Sequence, residues 1–290
     1  MNIILTGASS FLGKAAAKTL LARGHELVLL RHSFEEAEIA LPAHADVWIH
    51  FAWAGVGSKG RQDEAVQAFN VAMSMAALQK AAQLGCSKFL FAGSQAEYGH
   101  ANRQEETEAC APISAYGKAK LLFSQKARNW LLKEQAGKEQ DALMQFVHMR
   151  IFSVYGPGDH ETALVPSCLR AFCKGADMDF GPCTQDWDYL YLTDAADAVA
   201  LLAEADIPGL SYRCVNIAGT DIRPLKSYIE EMHALCKSAS KMHFGARGNN
   251  AEGAVSLRPV TKRLAALGFK AQTKFADGIQ KMLLESDKKA

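Results

Sequence analysis

An apolar run over Asn2–Thr6, short enough for one strand, leads straight into the turn Thr6–Gly13, TGASSFLG. A helical pattern follows over Lys14–Arg23 and closes at Gly24. Strand, glycine turn and helix in that order confine the N-terminal part of the chain to a βα unit. Such a turn lets backbone approach a pyrophosphate. The helix behind it offers unpaired N–H groups and the positive end of its dipole. Gly7 and Gly13 are in place, while Ser10 stands where a middle glycine is expected; it is small and can still donate to a phosphate. The candidate contacts are Gly7, Ser9, Ser10, Phe11, Leu12 and Gly13.

The end of the second strand reads Leu29–Leu30–Arg31–His32–Ser33, with no carboxylate before Glu35. At this place an acid binds the ribose hydroxyls of NAD, and a basic residue accommodates the 2′-phosphate of NADP. Arg31 therefore favours NADP, with NAD as the alternative if Arg31 is a solvated surface residue.

The pattern repeats along the first half. Strands are expected at Glu26–Leu30, Asp46–Ala52, Lys88–Ala92 and Met144–Ile151, and helices over Asp63–Leu84 and Ser114–Gln135. Apolar strands alternating with helices argue for a parallel sheet covered on both faces. Gly156–Pro157–Gly158 breaks the order. A helix over Thr193–Ala205 and a strand over Arg213–Ile217 return to the sheet, and the rest from Asp221 reads as mostly helical. The expected architecture is α/β: a doubly wound, Rossmann-type parallel sheet with a smaller, mostly helical cap. Residues 1–154 and 187–219 are assigned to the dinucleotide-binding domain, and 155–186 and 220–290 to an interleaved substrate-binding cap.

A formal net charge of +1 gives no general attraction to nucleic acid or acidic membranes. No apolar run approaches the length of a membrane span. The opening residues lack a signal peptide's basic region and cleavage site. The seven cysteines form no CxxC pair, which fits reduced thiols in a cytoplasmic setting. No His/Cys/Asp cluster has metal-ligand spacing, so no metal is expected.

Tyr116 and Lys120 stand four apart in SAYGKAK, on one face of the expected helix. A carbonyl that receives hydride must also receive a proton, which a tyrosine hydroxyl can supply. A nearby ammonium stabilises the phenolate left behind. Ser94, in FLFAGSQAEYG, falls at the carboxyl end of a strand, where α/β sites form, and its hydroxyl can bond a substrate carbonyl.

Taken in order, TGASSFLG, DVWIHFAWAG, FLFAGSQAEYG, SAYGKAK, RIFSVYGPG and WDYLYLTDAADAV resemble the extended short-chain dehydrogenase/reductase family. LRPVTKRLAALGF resembles that family's late substrate-domain segment. Within the family the chain is most similar to nucleotide-sugar epimerases, dehydratases and 4-ketoreductases. The resemblance implies that Ser94, Tyr116 and Lys120 are catalytic and that Tyr116 and Lys120 also touch the cofactor. It implies that Ala52 lies along the nicotinamide, and that Asn70 sits near cofactor and core backbone. Substrate contacts are implied at Ser94, Gln95, Ser153, Trp187 and Arg258. Two of these depart from the family: Ser153 replaces a frequent asparagine, and Trp187 a frequent arginine near the diphosphate. Arg170, Arg223, Arg258 and Lys262 are candidate replacements. For His50 and His160 a bonded or exposed structural role is favoured over acid–base work.

The function expected is NADPH-dependent reduction of a nucleotide-linked 4-keto-6-deoxyhexose. One alternative is a nucleotide-sugar 4-epimerase with tightly held NAD. A second, of another class, is a non-catalytic dinucleotide-sensing protein. Dehydration is disfavoured. Family dehydratases carry an Asp–Glu pair directly after the catalytic hydroxyl residue, whereas Gln95 and Ala96 follow Ser94 here. A homodimer through the two long helices is the implied assembly.

Overall fold

The computed structural model describes residues 1–30, 41–107, 109–137, 139, 143–206, 212–248, 253 and 255–287. The first five strands are β1 (Asn2–Thr6), β2 (Glu26–Leu30), β3 (Val47–His50), β4 (Lys88–Ser94) and β5 (Gln145–Ile151). Short strands β6 (Ser153–Tyr155), β7 (Met178–Phe180), β8 (Asp186–Trp187) and β9 (Tyr189–Tyr191) follow, then β10 (Tyr212–Ile217), β11 (Arg223–Pro224) and β12 (Met242–Phe244). The helices are α1 (Phe11–Ala22), α2 (Glu64–Gln83), α3 (Ala115–Glu134), α4 (Leu164–Cys173), α5 (Leu192–Glu204), α6 (Leu225–Leu235), α7 (Lys262–Ala266) and α8 (Phe275–Asp287).

Six strands form one sheet in the order β10-β5-β4-β3-β1-β2, and every neighbouring pair is parallel. The order turns back beside β1, so a crevice opens between the carboxyl ends of β1 and β3. Parallel strands need covering on both faces, and the two sides are filled differently. Leu12, Ala16 and Leu20 of α1 and the alanine-rich α5 pack on one face. Val71 and Leu78 of α2 with Phe123 and Leu131 of α3 pack on the other, against Trp48, Phe89, Phe91 and Phe146. Small alanines let α1 and α5 lie close, whereas rings fill the wider gap beneath α2 and α3.

Two buried polar groups fix the sheet. His50 bonds Thr6 Oγ1 at 2.7 Å and Ser74 Oγ at 3.0 Å. Burial, with Lys120 nearby, lowers its pKa to about 3, so it is neutral and structural. At the opposite end of the sheet Lys88 Nζ donates to the carbonyls of Leu202, Ala203 and Ala205, at 3.2, 2.8 and 2.7 Å. These are the last carbonyls of α5, which lack intrahelical partners.

A third apolar cluster stands beyond the sheet. It joins Tyr155, Phe172 and Phe180 to Tyr228, Phe275 and Ile279. Three two-stranded pairs, β6–β9, β7–β12 and β8–β11, frame it. Pairs of two or three residues are too short to leave a periodic pattern, which is why the sequence reads here as loop and helix. Leu264 of α7, inside the span assigned to the cap, packs instead with the α1–α5 layer.

Candidate active site

The turn after β1 is closed by contact as well as by conformation. Gly7 has φ +73°, and a Cβ there would lie 2.6 Å from the backbone nitrogen of Ala52. A Cβ on Gly13 would strike the carbonyl oxygen of Gly7. Ser10 is the N-cap of α1, its hydroxyl accepting from Gly13 N at 3.1 Å. That cap starts the helix at Phe11, three residues before the apolar spacing alone would place it. Phe11 and Leu12 hold the first helical N–H groups, which have no intrahelical acceptor, and both line the cleft above the sheet. Ser9 is exposed at the tip of the turn. This cradle, too close for any side chain and faced by a helix N-terminus, fits a dinucleotide pyrophosphate. Arg31 lies outside the described residues.

The loop leaving β3 departs from the sheet at Phe51, two residues earlier than expected. Asn70 holds it, its Oδ1 accepting from Ala54 N and its Nδ2 donating to Ala54 O, both at 2.9 Å. Ala52 therefore sits half-buried beside Gly7. Trp53 follows, its indole N–H on Gln67 Oε1 at 2.8 Å.

Ser94 ends β4 and caps the short 3-10 turn Gln95–Glu97, its hydroxyl accepting from Ala96 N at 3.2 Å. Tyr116 and Lys120 lie in the first turns of α3, which Ser114 caps. Lys120 is buried. Its Nζ donates to Ala92 O at 2.6 Å, lies 3.7 Å above the Trp53 ring, and stands 5.6 Å from the centre of the Tyr116 ring. Burial pushes its pKa well down, and only the charge of Glu97 opposes this.

One cleft of about 630 Å³ connects these parts. Ser10, Phe11 and Leu12 border it on the dinucleotide side, Ser94, Gln95 and Tyr116 at its centre, and Gln185, Trp187 and Leu225 on the cap side. Gln95 Oε1 and Trp187 Nε1 are buried with no hydrogen-bond partner among the described residues. Leaving such a group unsatisfied costs about 1–3 kcal/mol, so an acceptor and a donor stand ready in the wall for a polar ligand.

Not every expected residue reaches the cleft. Ser153 falls between the lining residues Phe152 and Val154 but is not itself part of the wall. Arg258 is half-exposed and donates to Asp186 Oδ2 at 2.6 Å. Arg170 bonds the Glu161 carbonyl, Arg223 pairs with Asp221 and Glu231, and Lys262 is not in the wall either. His160 is exposed and takes hydrogen bonds from Thr162. Glu97 is not part of the cleft wall. Its carboxylate is wholly buried, accepting from Ser94 N at 2.8 Å, His148 Nε2 at 3.0 Å and Arg150 Nε at 2.9 Å.

The sequence reading missed Arg61, whose guanidinium lies 4.4 Å from the centre of the Tyr116 ring and lines the cleft. It comes from an irregular loop, where neither period nor motif fixes a direction. The small residues Gly55, Gly57 and Gly60 around it were the available signal, since they mark a turn folded back on itself.

A family model described as the NAD dependent epimerase/dehydratase family matches residues 3–218. The chain belongs to that family. Among curated proteins, this epimerase/dehydratase chain is 29% identical over 192 residues to an ADP-L-glycero-D-manno-heptose-6-epimerase of Cupriavidus pinatubonensis, covering 58% of the chain and 56% of the relative. It is 24% identical over 265 residues to a UDP-glucose 4-epimerase of Corynebacterium glutamicum, covering 79% of each. The chain thus spans only a little over half of the first relative and about four-fifths of the second. Among solved structures, a UDP-glucose 4-epimerase of Thermotoga maritima with UDP-glucose superposes with a TM-score of 0.83 at 18% identity, covering 100% of this chain and 99% of that one. RMD of Pseudomonas aeruginosa complexed with NADPH gives 0.82 at 21%, with the same coverage. At such identity the structures speak for the fold, an extended Rossmann-type α/β fold. The family is one of NAD(P)-dependent enzymes, and its matched relatives are named for nucleotide-sugar chemistry.

Proposed function

We propose that this epimerase/dehydratase-family enzyme uses NADPH to reduce the 4-keto group of a nucleotide-linked 6-deoxyhexose. The observation that carries the reading is the single cleft in which the N-terminus of α1, Ser94 and Tyr116 meet. A bound reduced nicotinamide supplies the hydride. Ser94 orients the carbonyl, and Tyr116 gives its proton to the oxygen that becomes the new hydroxyl. Lys120 stands behind Tyr116 and favours the phenolate left by that transfer. Gln95 and Trp187 hold the sugar through the acceptor and donor they leave open in the wall. Arg258 supports that wall indirectly, through Asp186 beside Trp187.

Reduction is preferred to dehydration because Glu97, the carboxylate that follows Ser94 on the turn after β4, is enclosed by Arg150 and His148. The basic Arg31 favours a cofactor that exchanges after each turnover. The 4-epimerase reading is kept because the relative matched over 79% of its length is named a UDP-glucose 4-epimerase. The non-catalytic reading is weakened by the presence of both Tyr116 and Lys120. A homodimer would cover Phe69 of α2 and Leu122 and Leu132 of α3, all large, apolar and exposed. No helix among the described residues is long and apolar enough to cross a membrane, and a cytoplasmic setting suits the seven free thiols.

The test is to incubate purified protein with NADPH and a nucleotide-linked 4-keto-6-deoxyhexose, following reduced-nicotinamide absorbance and product stereochemistry. Stoichiometric NADP and a 4-hydroxy sugar are expected. Interconversion of a nucleotide hexose with its 4-epimer, with no cofactor added, would establish the epimerase instead.

A further inference from the structure

Arg61 is the one charged side chain among the described residues that line the cleft. It is also built into the site. Its backbone N–H donates to Gly57 O at 2.9 Å, folding the turn Gly60–Gln62 back on its own loop. Gln67, buried in α2, donates to Gly60 O at 2.8 Å and Gly55 O at 3.2 Å, while its Oε1 takes the Trp53 indole N–H. A single glutamine thus registers Arg61 and Trp53 together. The two bracket Tyr116, Arg61 over the ring and Trp53 edge-on at 6.3 Å and 87°.

Among the described residues, three other ionisable groups surround this part of the site. Lys120, one turn along α3, is held by Ala92 O and the Trp53 face. Glu97, on the turn after β4, is enclosed by Arg150 and His148 of β5. His50, on β3, is neutral and bonded to Thr6 and Ser74. Of the described cations over the Tyr116 ring, Arg61 is the nearer, at 4.4 Å against 5.6 Å for Lys120.

We propose that Arg61 is a positioning residue for Tyr116, and that its guanidinium, stacked on the ring, stabilises the phenolate and so sets the acidity of the proton donor. A cation over an aromatic face is attracted by the ring, and more strongly once the ring bears a negative charge. A guanidinium keeps its charge at every working pH. Lys120 stands farther off, 5.6 Å from the Tyr116 ring centre against 4.4 Å for Arg61, so Arg61 lies closer to the charge that develops on the phenol. In each turnover the Tyr116 proton passes to the substrate oxygen as the carbonyl carbon gains hydride, and the phenolate regains a proton from water. The inference rests on the reading of Tyr116 as that donor.

The experiment compares wild type, Arg61→Met and Arg61→Lys by two measurements. The first is the pH profile of kcat/KM for ketosugar reduction, which needs protonated Tyr116 and falls along an alkaline limb. Removing the guanidinium should move that limb up by about one pH unit; Arg61→Lys should move it less. The second needs no turnover: alkaline titration of tyrosinate absorbance, with Tyr116→Phe as the subtracted reference. Tyr98, Tyr155, Tyr189, Tyr191 and Tyr228 are all pushed up by burial, and the subtraction removes their signal with that of Tyr212. The subtracted midpoint should rise in Arg61→Met by the same amount. Circular dichroism and NADPH binding check the fold, and Arg61→Lys carries the test if Arg61→Met does not fold. A slower enzyme with unmoved limb and midpoint would overturn the inference and leave Arg61 a packing residue. A Tyr116→Phe enzyme of wild-type rate would instead overturn the reading of Tyr116, while the tyrosinate midpoint would still decide the effect of Arg61.

Discussion

Glu97→Gln removes one charge from a group that is nowhere exposed. The Glu97, His148 and Arg150 side chains are all fully buried. Burial raises the proton affinity of the Glu97 carboxyl, but His148, Arg150 and the Ser94 N–H outweigh it and hold it below the usual carboxylate range. His148 is held below the ordinary imidazole range, by burial first; it bonds Glu97 on one nitrogen and the Tyr212 hydroxyl at 3.2 Å on the other. Arg150 is the guanidinium paired directly with the Glu97 carboxylate. Arg150 keeps only the Thr107 carbonyl and the Tyr98 face when the carboxylate goes. Breaking a buried pair from one side costs about 3–5 kcal/mol. Glutamine preserves shape and one acceptor, so the lower end, about 3 kcal/mol, is expected. Urea denaturation reads this as a lower midpoint at unchanged slope. Adding Arg150→Met should recover much of the loss, because neither charge is then left alone. A loss below about 1 kcal/mol in the single variant, or simple additivity in the double, would refute the argument.

Tyr116→Phe should lower kcat by about 10²–10⁴-fold with NADPH binding unchanged, as a stopped assay and a fluorescence titration would show. Arg31→Ala should erase a preference for NADPH over NADH; equal affinities already in wild type would mean that Arg31 faces solvent. Gly7→Ala should weaken NADPH binding at least about tenfold, because alanine disfavours the positive φ and its Cβ meets the Ala52 backbone. His50, with a folded pKa near 3 against about 6.5 unfolded, favours the folded state above pH ~6.5, and that contribution is lost as pH falls from 6.5 toward 3. His50→Gln should flatten the acid limb of a stability–pH curve, and an unchanged limb would remove His50 from the account.

The sheet was legible because its signals are local. Six apolar runs became six strands, and most boundaries shifted only by the residues that a cap or a departing loop decides, as at Phe11 and Phe51. The places of Gly7, Ser94 and Tyr116 in the fold were legible because each follows a strand, ends one or opens a helix. Glu97 closes the capping box with Ser94, as a residue of the turn after β4. Its stronger partners are His148 and Arg150, two apart on β5 and hence on one face, but some fifty residues away in sequence. Arg61 and Trp53 depend on a hydrogen bond from a helix to an irregular loop, which no pattern in the chain encodes. Arg258 drew attention as a cation in a substrate-domain segment, and the ion pair with Asp186 claims it.

Lys88 closes contacts between β4 and the end of α5 that are separated by 114 to 117 residues. Contacts of such separation reward the chain only after a long loop has been closed. The ammonium is therefore expected to reach its three carbonyls late, once both layers have assembled around the sheet. A late contact acts on the rate of escape from the native state more than on the rate of reaching it. On that expectation Lys88 is a latch: its loss should speed unfolding more than it slows folding.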